Sequence, residues 1–370
     1  MKKASSKHVR VAFVVALFIL LSVFSFISAS GNQPLFYAKL IWSLVVSYLG
    51  LCIYRRGSIS RYRSILFILI AFFFFLEFKF FRCLSFGKTI PPYCHIAQAP
   101  TLFNFVHSQF LAITSGQWRV WGVLTLGFFW LLIMFTIGQG ICSWVCFYGG
   151  LDESCSKIIK KPLIKLKIPY PWRDFPIAFL VFLLILSFLQ GLPVFCNWFC
   201  PLKLTTAFWD KEPIIRFSQV TFFLLFLVVF IILLPALSKK RTFCSLICPF
   251  GALVSICGKA SPYRVTIDKE KCTLCGKCYD MCPVFAIERQ KSDEYKITSY
   301  CNKCGKCIDT CPVDAINIVV SNNLAAIPFF KQTKWQIEIR DIFIFLSLLM
   351  TGVMSGSFVP RAILQLIGIK

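Results

Sequence analysis

Two short runs of cysteine organise this chain: CTLCGKCYDMCP at residues 272–283 and CNKCGKCIDTCP at residues 301–312. Each run reads C-x2-C-x2-C-x3-C-P, and the second begins 29 residues after the first. The first three cysteines of a run turn their thiols to one side of a tight loop, and the fourth lies beyond it, beside a proline that bends the chain away. Gly276 and Gly305 follow the second cysteine of each loop, where the missing Cβ lets backbone N–H groups turn toward sulfur. Four converging thiolates indicate a metal centre in each run.

The spacing resembles that of bacterial two-cluster ferredoxins, which carry two [4Fe-4S] clusters and in which the fourth cysteine of each run binds the other cluster. A pair of structural zinc sites is the alternative, because C-x2-C pairs also bind zinc. Eight cysteines in duplicate, each run ending in proline, favour iron–sulfur clusters. The resemblance implies cluster one on Cys272, Cys275, Cys278 and Cys311, and cluster two on Cys301, Cys304, Cys307 and Cys282.

The chain as a whole is strongly apolar. Of its 370 residues 57% are hydrophobic and 41 are Phe, and the mean hydropathy is +0.73; soluble domains are nearer 45–50% apolar. We expect a mainly α, polytopic helical membrane protein of about seven spans, with an inserted α+β module of the bacterial two-[4Fe-4S] ferredoxin type. The 19 cysteines do not indicate a disulfide scaffold, which is typical of short secreted chains, so we expect reduced, metal-bound thiolates.

The apolar runs divide the chain into four predicted regions. Residues 28–30 resemble a signal-peptidase site, but an uncleaved first span is preferred because its apolar run is long and further spans follow. The first region, 1–119, contains spans at about 11–27, 36–54 and 64–81 and an outer loop. The second, 120–258, contains spans at about 120–137, 175–192 and 220–237. The third, 259–328, is the ferredoxin module, and the fourth, 329–370, contains a last span at about 342–359.

The formal charge of +24 raises the question of nucleic-acid binding. We reject that interpretation, because Lys and Arg gather at the ends of apolar runs, as the positive-inside rule requires. The N-terminus, the loops at 55–63 and 157–173 and the module after Lys239 all fall on one side of the predicted topology. We therefore expect a multi-pass protein of the bacterial cytoplasmic (inner) membrane, in contact with lipid, whose ferredoxin module faces the cytoplasm.

Four lysines flank the predicted clusters, and two interpretations of them stay open. They steer an acidic electron donor toward the module, or they form a solvated face that raises the cluster potentials. The lysines are Lys271, Lys277, Lys303 and Lys306.

Three C-x3-C pairs follow predicted spans. Residues i and i+4 share one helix face, so each pair is expected to provide one edge of a metal site. The topology places the first and third pairs on the cytoplasmic side and the second on the outer side. A further metal centre bound jointly by the first and third pairs, such as a third iron–sulfur cluster, is one interpretation; thiol redox chemistry or copper handling is a second, and buried structural cysteines are a third. The pairs are Cys142 and Cys146, Cys196 and Cys200, and Cys244 and Cys248.

The sequences CSLICPFGAL (244–253) and CNWFCPL (196–202), followed by the duplicated ferredoxin motif, resemble the membrane-bound polyferredoxin-like proteins typified by NapH, NosR and MauN. The resemblance covers about residues 120–320. Two positions depart from the family pattern: Phe147 stands where the family has Pro, and Gln139 where it often has Arg.

The resemblance implies one-electron transfer between a cytoplasmic or quinone donor and a redox partner, such as a flavodoxin, a ferredoxin or a respiratory subunit. A quinone is a further candidate cofactor. No motif indicates a catalytic residue, so the chain is expected to be an electron-transfer subunit of an oxidoreductase. The alternative is a maturation or regulatory factor that reduces a metal or thiols during assembly of another enzyme.

Overall fold

The chain folds into two compact units, formed by residues 1–81, 135–151 and 260–370, and by residues 82–134 and 152–259. Each unit is therefore built from segments that are distant in sequence. The computed structural model describes residues 2–29, 31–81, 96, 99–116, 132–133, 136–166, 168, 172, 174–191, 194–200, 213–290, 294–320 and 338–369.

Helices account for most of the described residues, and four short strands lie in the ferredoxin module. The helices are α1 Lys2–Ala29, α2 Gln33–Arg56, α3 Ile59–Phe75, α4 Leu102–Thr114, α5 Ile141–Trp144, α6 Phe147–Cys155, α7 Phe175–Gln190, α8 Val194–Trp198, α9 Pro213–Phe226, α10 Leu234–Ser238, α11 Thr242–Leu246, α12 Pro249–Cys257, α13 Lys277–Met281, α14 Lys306–Thr310, α15 Ile339–Ser355 and α16 Val359–Leu366. The strands are β1 Tyr263–Ile267, β2 Ile287–Arg289, β3 Tyr295–Ile297 and β4 Ile316–Val320.

The first membrane helices have clear local start and stop residues. Asn32 caps α2 by accepting the backbone N–H of Leu35 at 3.0 Å, and Pro34 lies in the first turn. Gly57 ends the helix in the left-handed conformation, with φ 70°, which costs glycine little. These residues give a tight turn on each side of α2, so α1, α2 and α3 follow one another closely.

Small residues let the helices of the first unit pack closely. A Cβ on Gly50 of α2 would lie 2.8 Å from Leu348, and a Cβ on Gly352 of α15 would lie 2.7 Å from Leu21. Leu21 and Leu348 are both buried. The contacts bring α1, α2 and α15 together, because in lipid helices associate mainly through such close packing.

Four described helical segments are long and apolar enough to cross a membrane, and α15 and α16, bent by 49°, would make a fifth. The expectation of seven spans is therefore not confirmed. Most of the predicted span at 120–137 lies outside the described residues. The predicted span at 175–192 is α7, whose 16 residues fall short of the roughly 20 that a bilayer requires. The four segments are His8–Ala29, Gln33–Arg56, Ile59–Phe78 and Val220–Ser238. A π-helical stretch at Leu76–Phe81 continues α3, and another at Leu227–Leu233 joins α9 to α10.

The ferredoxin module consists of two antiparallel strand pairs and two short helices. β1 pairs with β4, the last strand of the cysteine-rich region, with Tyr263 opposite Val320. β2 pairs with β3, with Ile287 opposite Ile297. Buried side chains of β1, β2 and β4 line the same cavities as the cysteines, so the strands hold the two C-x2-C-x2-C loops in place: Val265, Ile287 and Ile316.

Candidate metal centres

Each predicted set of four cysteines surrounds one cavity. The sites thus join the fourth cysteine of each run to the first three of the other run, as the ferredoxin resemblance implies. Cys272, Cys275, Cys278 and Cys311 line the first cavity. Cys282, Cys301, Cys304 and Cys307 line the second.

The local backbone explains how the thiols converge. Two residues with positive φ shape each loop, one on either side of the second cysteine: Leu274 and Gly276 have φ of 55° and 72°, and Lys303 and Gly305 have 54° and 78°. A five-residue helix that contains the third cysteine follows each loop. The fourth cysteine then adopts an extended conformation, with φ −63° and ψ 118° at Cys282, and the chain leaves the site.

Backbone N–H groups point at the fourth cysteine of each run. The N–H of Ala286 donates to Cys282 Sγ at 3.3 Å, and the N–H of Ala315 donates to Cys311 Sγ at 3.3 Å. Such bonds stabilise thiolate ligands and tune an iron–sulfur group. The donors and the cysteines therefore fit a thiolate-bound cluster, whose chemistry is the reversible uptake of one electron.

The spacing of these thiols disfavours zinc. Four thiolates on zinc all lie about 2.3 Å from one ion. Among the residues that the structure describes, no three His, Cys, Asp or Glu side chains lie close enough to share a single metal ion. Each set of four cysteines instead lines one cavity. Thiols too far apart to share one ion suit a larger group.

The two loops differ sharply in exposure. We call residues 272–281 loop one and residues 301–310 loop two. In loop one Leu274 is 49% exposed and Cys275 is also exposed. In loop two Lys303 is 4% exposed and Cys304 is buried. Two loops with the same cysteine spacing therefore occupy different environments.

The segment 137–144 covers loop two. The Ser143 hydroxyl donates to the carbonyl of Asn302, and Trp144 Nε1 donates to the carbonyl of Lys303 at 3.3 Å. The side-chain amide of Gln139 donates to the carbonyl of Ser299. Gln139 stands where the related family often has Arg, so this departure places a neutral amide against the module.

The start of α3 also contacts loop two. Asp309 accepts the backbone N–H groups of Ile59 at 3.1 Å and Ser60 at 2.7 Å. A Cβ on Gly305 would lie 2.7 Å from the Ile59 side chain, so only glycine permits this approach. The module is thus attached to a membrane helix through loop two.

The structure corrects the expectation that Lys303 lies on the surface of the module. Lys303 was grouped with surface lysines, but it is buried, and its Nζ donates to Ser261 Oγ at 2.8 Å and to the carbonyl of Ile137 at 3.2 Å. Burial lowers the pKa of Lys303 to about 8. The sequence contains no sign of this, because the segments that bury Lys303 are distant in the chain. The sequence also gave no indication of the role of Asp309. Its counterpart in loop one, Asp280, is an aspartate as well, so the residue type does not distinguish the two positions.

The two cysteines of each C-x3-C pair do not share one helix face, contrary to the expectation from the sequence. Cys142 belongs to α5, which ends at Trp144, and Cys146 precedes α6. Cys244 belongs to α11, and Cys248 is the extended N-cap of α12, with φ −66° and ψ 112°. At the remaining pair, Cys196 lies in α8 and Cys200 follows its end. A break after each short helix therefore replaces the expected continuous helix.

Cys248 shares the local geometry of the fourth ferredoxin cysteines. Its backbone angles are close to those of Cys282, and the N–H of Gly251 donates to its Sγ at 3.4 Å. The similarity arises because C-x3-C-P gives both sequences a short helix, an extended cysteine and then proline. The local shape is compatible with a thiolate ligand. Among the described residues, however, no three ligand side chains lie close enough to hold a single metal ion.

Buried charged groups lie beside Cys244. Asp152 accepts the backbone N–H of Cys244 at 2.9 Å, and Arg241 Nη2 lies 3.8 Å from Cys244 Sγ. Arg241 is fully buried and lies 3.8 Å from a carboxylate oxygen of Glu153. Burial raises the pKa of Asp152 to about 7, and the nearby Arg241 opposes that shift. The contacts tie α6 to α11 within the second unit.

Comparison with known proteins agrees with this geometry. A family described as 4Fe-4S dicluster domain matches residues 264–319. A family described as 4Fe-4S binding domain matches residues 119–168, 175–218 and 220–262, and each match contains one C-x3-C pair. No solved structure matches the chain.

Three curated relatives match parts of the chain. YccM of Escherichia coli (strain K12) is 26% identical over 41% of this chain and 43% of its own length. The methylamine utilization ferredoxin-type protein MauN of Methylobacillus flagellatus is 28% identical over 44% of this chain and 52% of its own. The ferredoxin-type protein NapH of Escherichia coli (strain K12) is 26% identical over 38% of this chain and 46% of its own length. The matches thus span about half the length of these relatives.

The fold and the two sites define a membrane protein that carries 4Fe-4S clusters. Both matching families are those of 4Fe-4S proteins, and the resemblance to the NapH- and MauN-type polyferredoxin-like proteins noted in the sequence is confirmed.

Proposed function

We propose that the chain carries single electrons through two [4Fe-4S] clusters, between a cytoplasmic or quinone donor and a second redox protein. The observation that carries the proposal is the pair of four-cysteine cavities, one at an exposed loop and one against membrane helices. Electron exchange with a soluble flavodoxin, ferredoxin or respiratory subunit requires an exposed site, which loop one provides. Exchange with a membrane component suits the covered loop two.

The ligands in this proposal are the two sets of cysteines around the cavities. The lining of both cavities consists mainly of cysteine and apolar side chains, which suits electron transfer. The names of MauN and NapH as ferredoxin-type proteins support the same role.

Iron analysis and EPR of anaerobically purified full-length protein test the proposal. We expect at least about eight iron atoms per chain, as two four-iron clusters require, and signals of two reducible clusters. Colourless protein that contains zinc in place of iron would refute it. The maturation alternative predicts a different phenotype in a deletion strain: quinol-linked flux survives while a partner enzyme lacks its metal.

The orientation in this proposal places the ferredoxin module on the cytoplasmic side. Two contacts of the first unit support this orientation. Arg10, near the start of α1, forms an ion pair of 2.8 Å with Asp341 at the start of α15. Asp309 of the module caps the start of α3. The basic N-terminus and the Arg-rich turn before α3 thus lie on that side. Reporter fusions after Ala29 and after Val320 test it: the first is expected outside and the second inside, and the reverse would contradict the orientation.

A further metal centre on the C-x3-C pairs is a finer part of the proposal. The fourth-cysteine geometry of Cys248 and its bond from the Gly251 N–H favour it. A variant with Cys244→Ser and Cys248→Ser is expected to lose iron beyond that of the ferredoxin module. Unchanged iron content in that variant would remove this centre and leave the two-cluster proposal intact.

A further inference from the structure

The two ferredoxin loops share a backbone shape but differ at one position. Leu274 and Lys303 each stand two residues after the first cysteine of a run, and both are left-handed, with φ of 55° and 54°. Leu274 is largely exposed, whereas Lys303 is buried. Loop two therefore places a cation inside the protein where loop one presents an apolar residue to solvent.

The surroundings fix the position of the Lys303 ammonium. Its Nζ donates to Ser261 Oγ and to the carbonyl of Ile137, and it lies 5.9 Å from the ring centre of Phe343. A Cβ on Gly138 would lie 3.0 Å from Nζ, so this glycine gives the ammonium its space.

These partners do not neutralise the charge. A hydroxyl, a carbonyl and an aromatic ring all favour a cation, but none carries a full negative charge. A buried charge is costly without a counter-charge. Lys303 lines the same cavity as Cys282, Cys301, Cys304 and Cys307, whose thiolates and bound group supply negative charge there.

We infer that Lys303 sets the reduction potential of the iron–sulfur group at loop two, by stabilising its more negative, reduced form. The inference rests on the proposed function, because it requires a cluster on those four cysteines. A buried charge is screened by solvent far less than an exposed one, and net charge around a cluster is one determinant of its potential. In this inference the charge outweighs the burial of loop two, which by itself disfavours the more negative form, so the group at loop two is easier to reduce than the group at loop one.

Full-length protein with Lys303→Gln, purified anaerobically in detergent, tests this by EPR-monitored redox titration. Glutamine keeps an N–H donor near Ser261 and removes the charge. We expect one of the two midpoint potentials to fall by about 59 mV, a tenfold change in the equilibrium of a one-electron couple. Lys303→Arg retains the charge, so its midpoint potentials are expected to stay close to those of the unsubstituted protein.

Lys277→Gln is the matched control, because Lys277 lines the loop-one cavity but is exposed. Its effect on either midpoint is expected to be several-fold smaller. Full iron content with unchanged midpoints in Lys303→Gln would overturn the inference, since a merely structural lysine changes stability and not potential.

A second variant covers the case in which Lys303→Gln does not retain its iron. Cys275→Ser, at an exposed cysteine, removes the loop-one group from the otherwise native chain. The midpoint that remains is expected to be the higher of the two found in the unsubstituted protein. If the lower midpoint remains, the inference is wrong. Absence of iron from the unsubstituted protein would instead refute the proposed function.

Discussion

The Asp309 carboxylate accepts a hydrogen bond of 2.7 Å from the backbone N–H of Ser60, so the ferredoxin module caps the first turn of membrane helix α3. The same carboxylate accepts the N–H of Ile59 and the hydroxyl of Ser58. The first N–H groups of a helix lack partners within the helix and carry partial positive charge, so a carboxylate at this place stabilises them. One aspartate thus links a cluster-binding loop to the membrane part of the unit.

Replacing that carboxylate should loosen the module. Asp309→Ala is expected to lower the free energy of unfolding by about 1 kcal/mol, the usual cost of losing a helix cap. Thermal unfolding in detergent measures the change, and limited proteolysis near residue 58 reports local opening. Asp280→Ala, at the equivalent position of exposed loop one, is the control and should have a smaller effect. Equal effects of the two substitutions would contradict the capping role.

Gly138 should not tolerate a side chain. Its φ is 53°, and a Cβ would lie 2.5 Å from Ser261 Oγ, which holds Lys303. Gly138→Ala therefore combines backbone strain of about 1 kcal/mol or more with displacement of Ser261 and Lys303. Iron content and melting temperature should both fall.

The control for this substitution is Gly57→Ala. Gly57 has a similar positive φ of 70°, but nothing lies within 4 Å of an added Cβ. It should show the backbone cost alone and keep its iron. Loss of iron in both variants would show that strain, and not the contact with Ser261, is responsible.

The ion pair between Arg10 and Asp341 should couple α1 to α15. The two side chains meet at 2.8 Å, and the Asp341 side chain is only 6% exposed. A double-mutant cycle with Arg10→Ala and Asp341→Ala is expected to give a coupling energy of at least about 0.5 kcal/mol. A cycle with Arg10 and Glu338, whose side chain is 55% exposed and 3.5 Å away, should give less. Additive effects in the first cycle would show that the pair contributes nothing.

The two iron–sulfur groups should be lost at different rates. Loop one exposes Leu274 and Cys275, whereas Asn302 and Lys303 of loop two are buried. Under mild oxidation with a chelator we expect a fast and a slow phase of absorbance loss, since attack requires access to the site. Cys275→Ser should abolish the fast phase. Loss of both groups at one rate would contradict the difference in protection.

Much of the site could be predicted because its determinants are local. The C-x2-C-x2-C spacing and the glycine after the second cysteine create each loop within ten residues, and the structure gathers the predicted sets around two cavities. The C-x3-C pairs were misjudged, since i and i+4 share a face only in a continuous helix. The chain leaves the helix after Trp144 and after Leu246, so the second cysteine starts a new element.

By itself, the sequence determined the character of the protein: apolar runs long enough for membrane helices, and two cysteine motifs whose spacing selects an iron–sulfur group. It did not determine which motif faces solvent, because Leu274 and Lys303 lie at the same position of the same cysteine motif, and no local residue distinguishes a buried loop from an exposed one. The tertiary structure decided this by bringing Ile59, Ser143 and Trp144, each more than 150 residues away in sequence, against loop two. Burial and the strength of a charge depend on such distant segments, which no local pattern encodes.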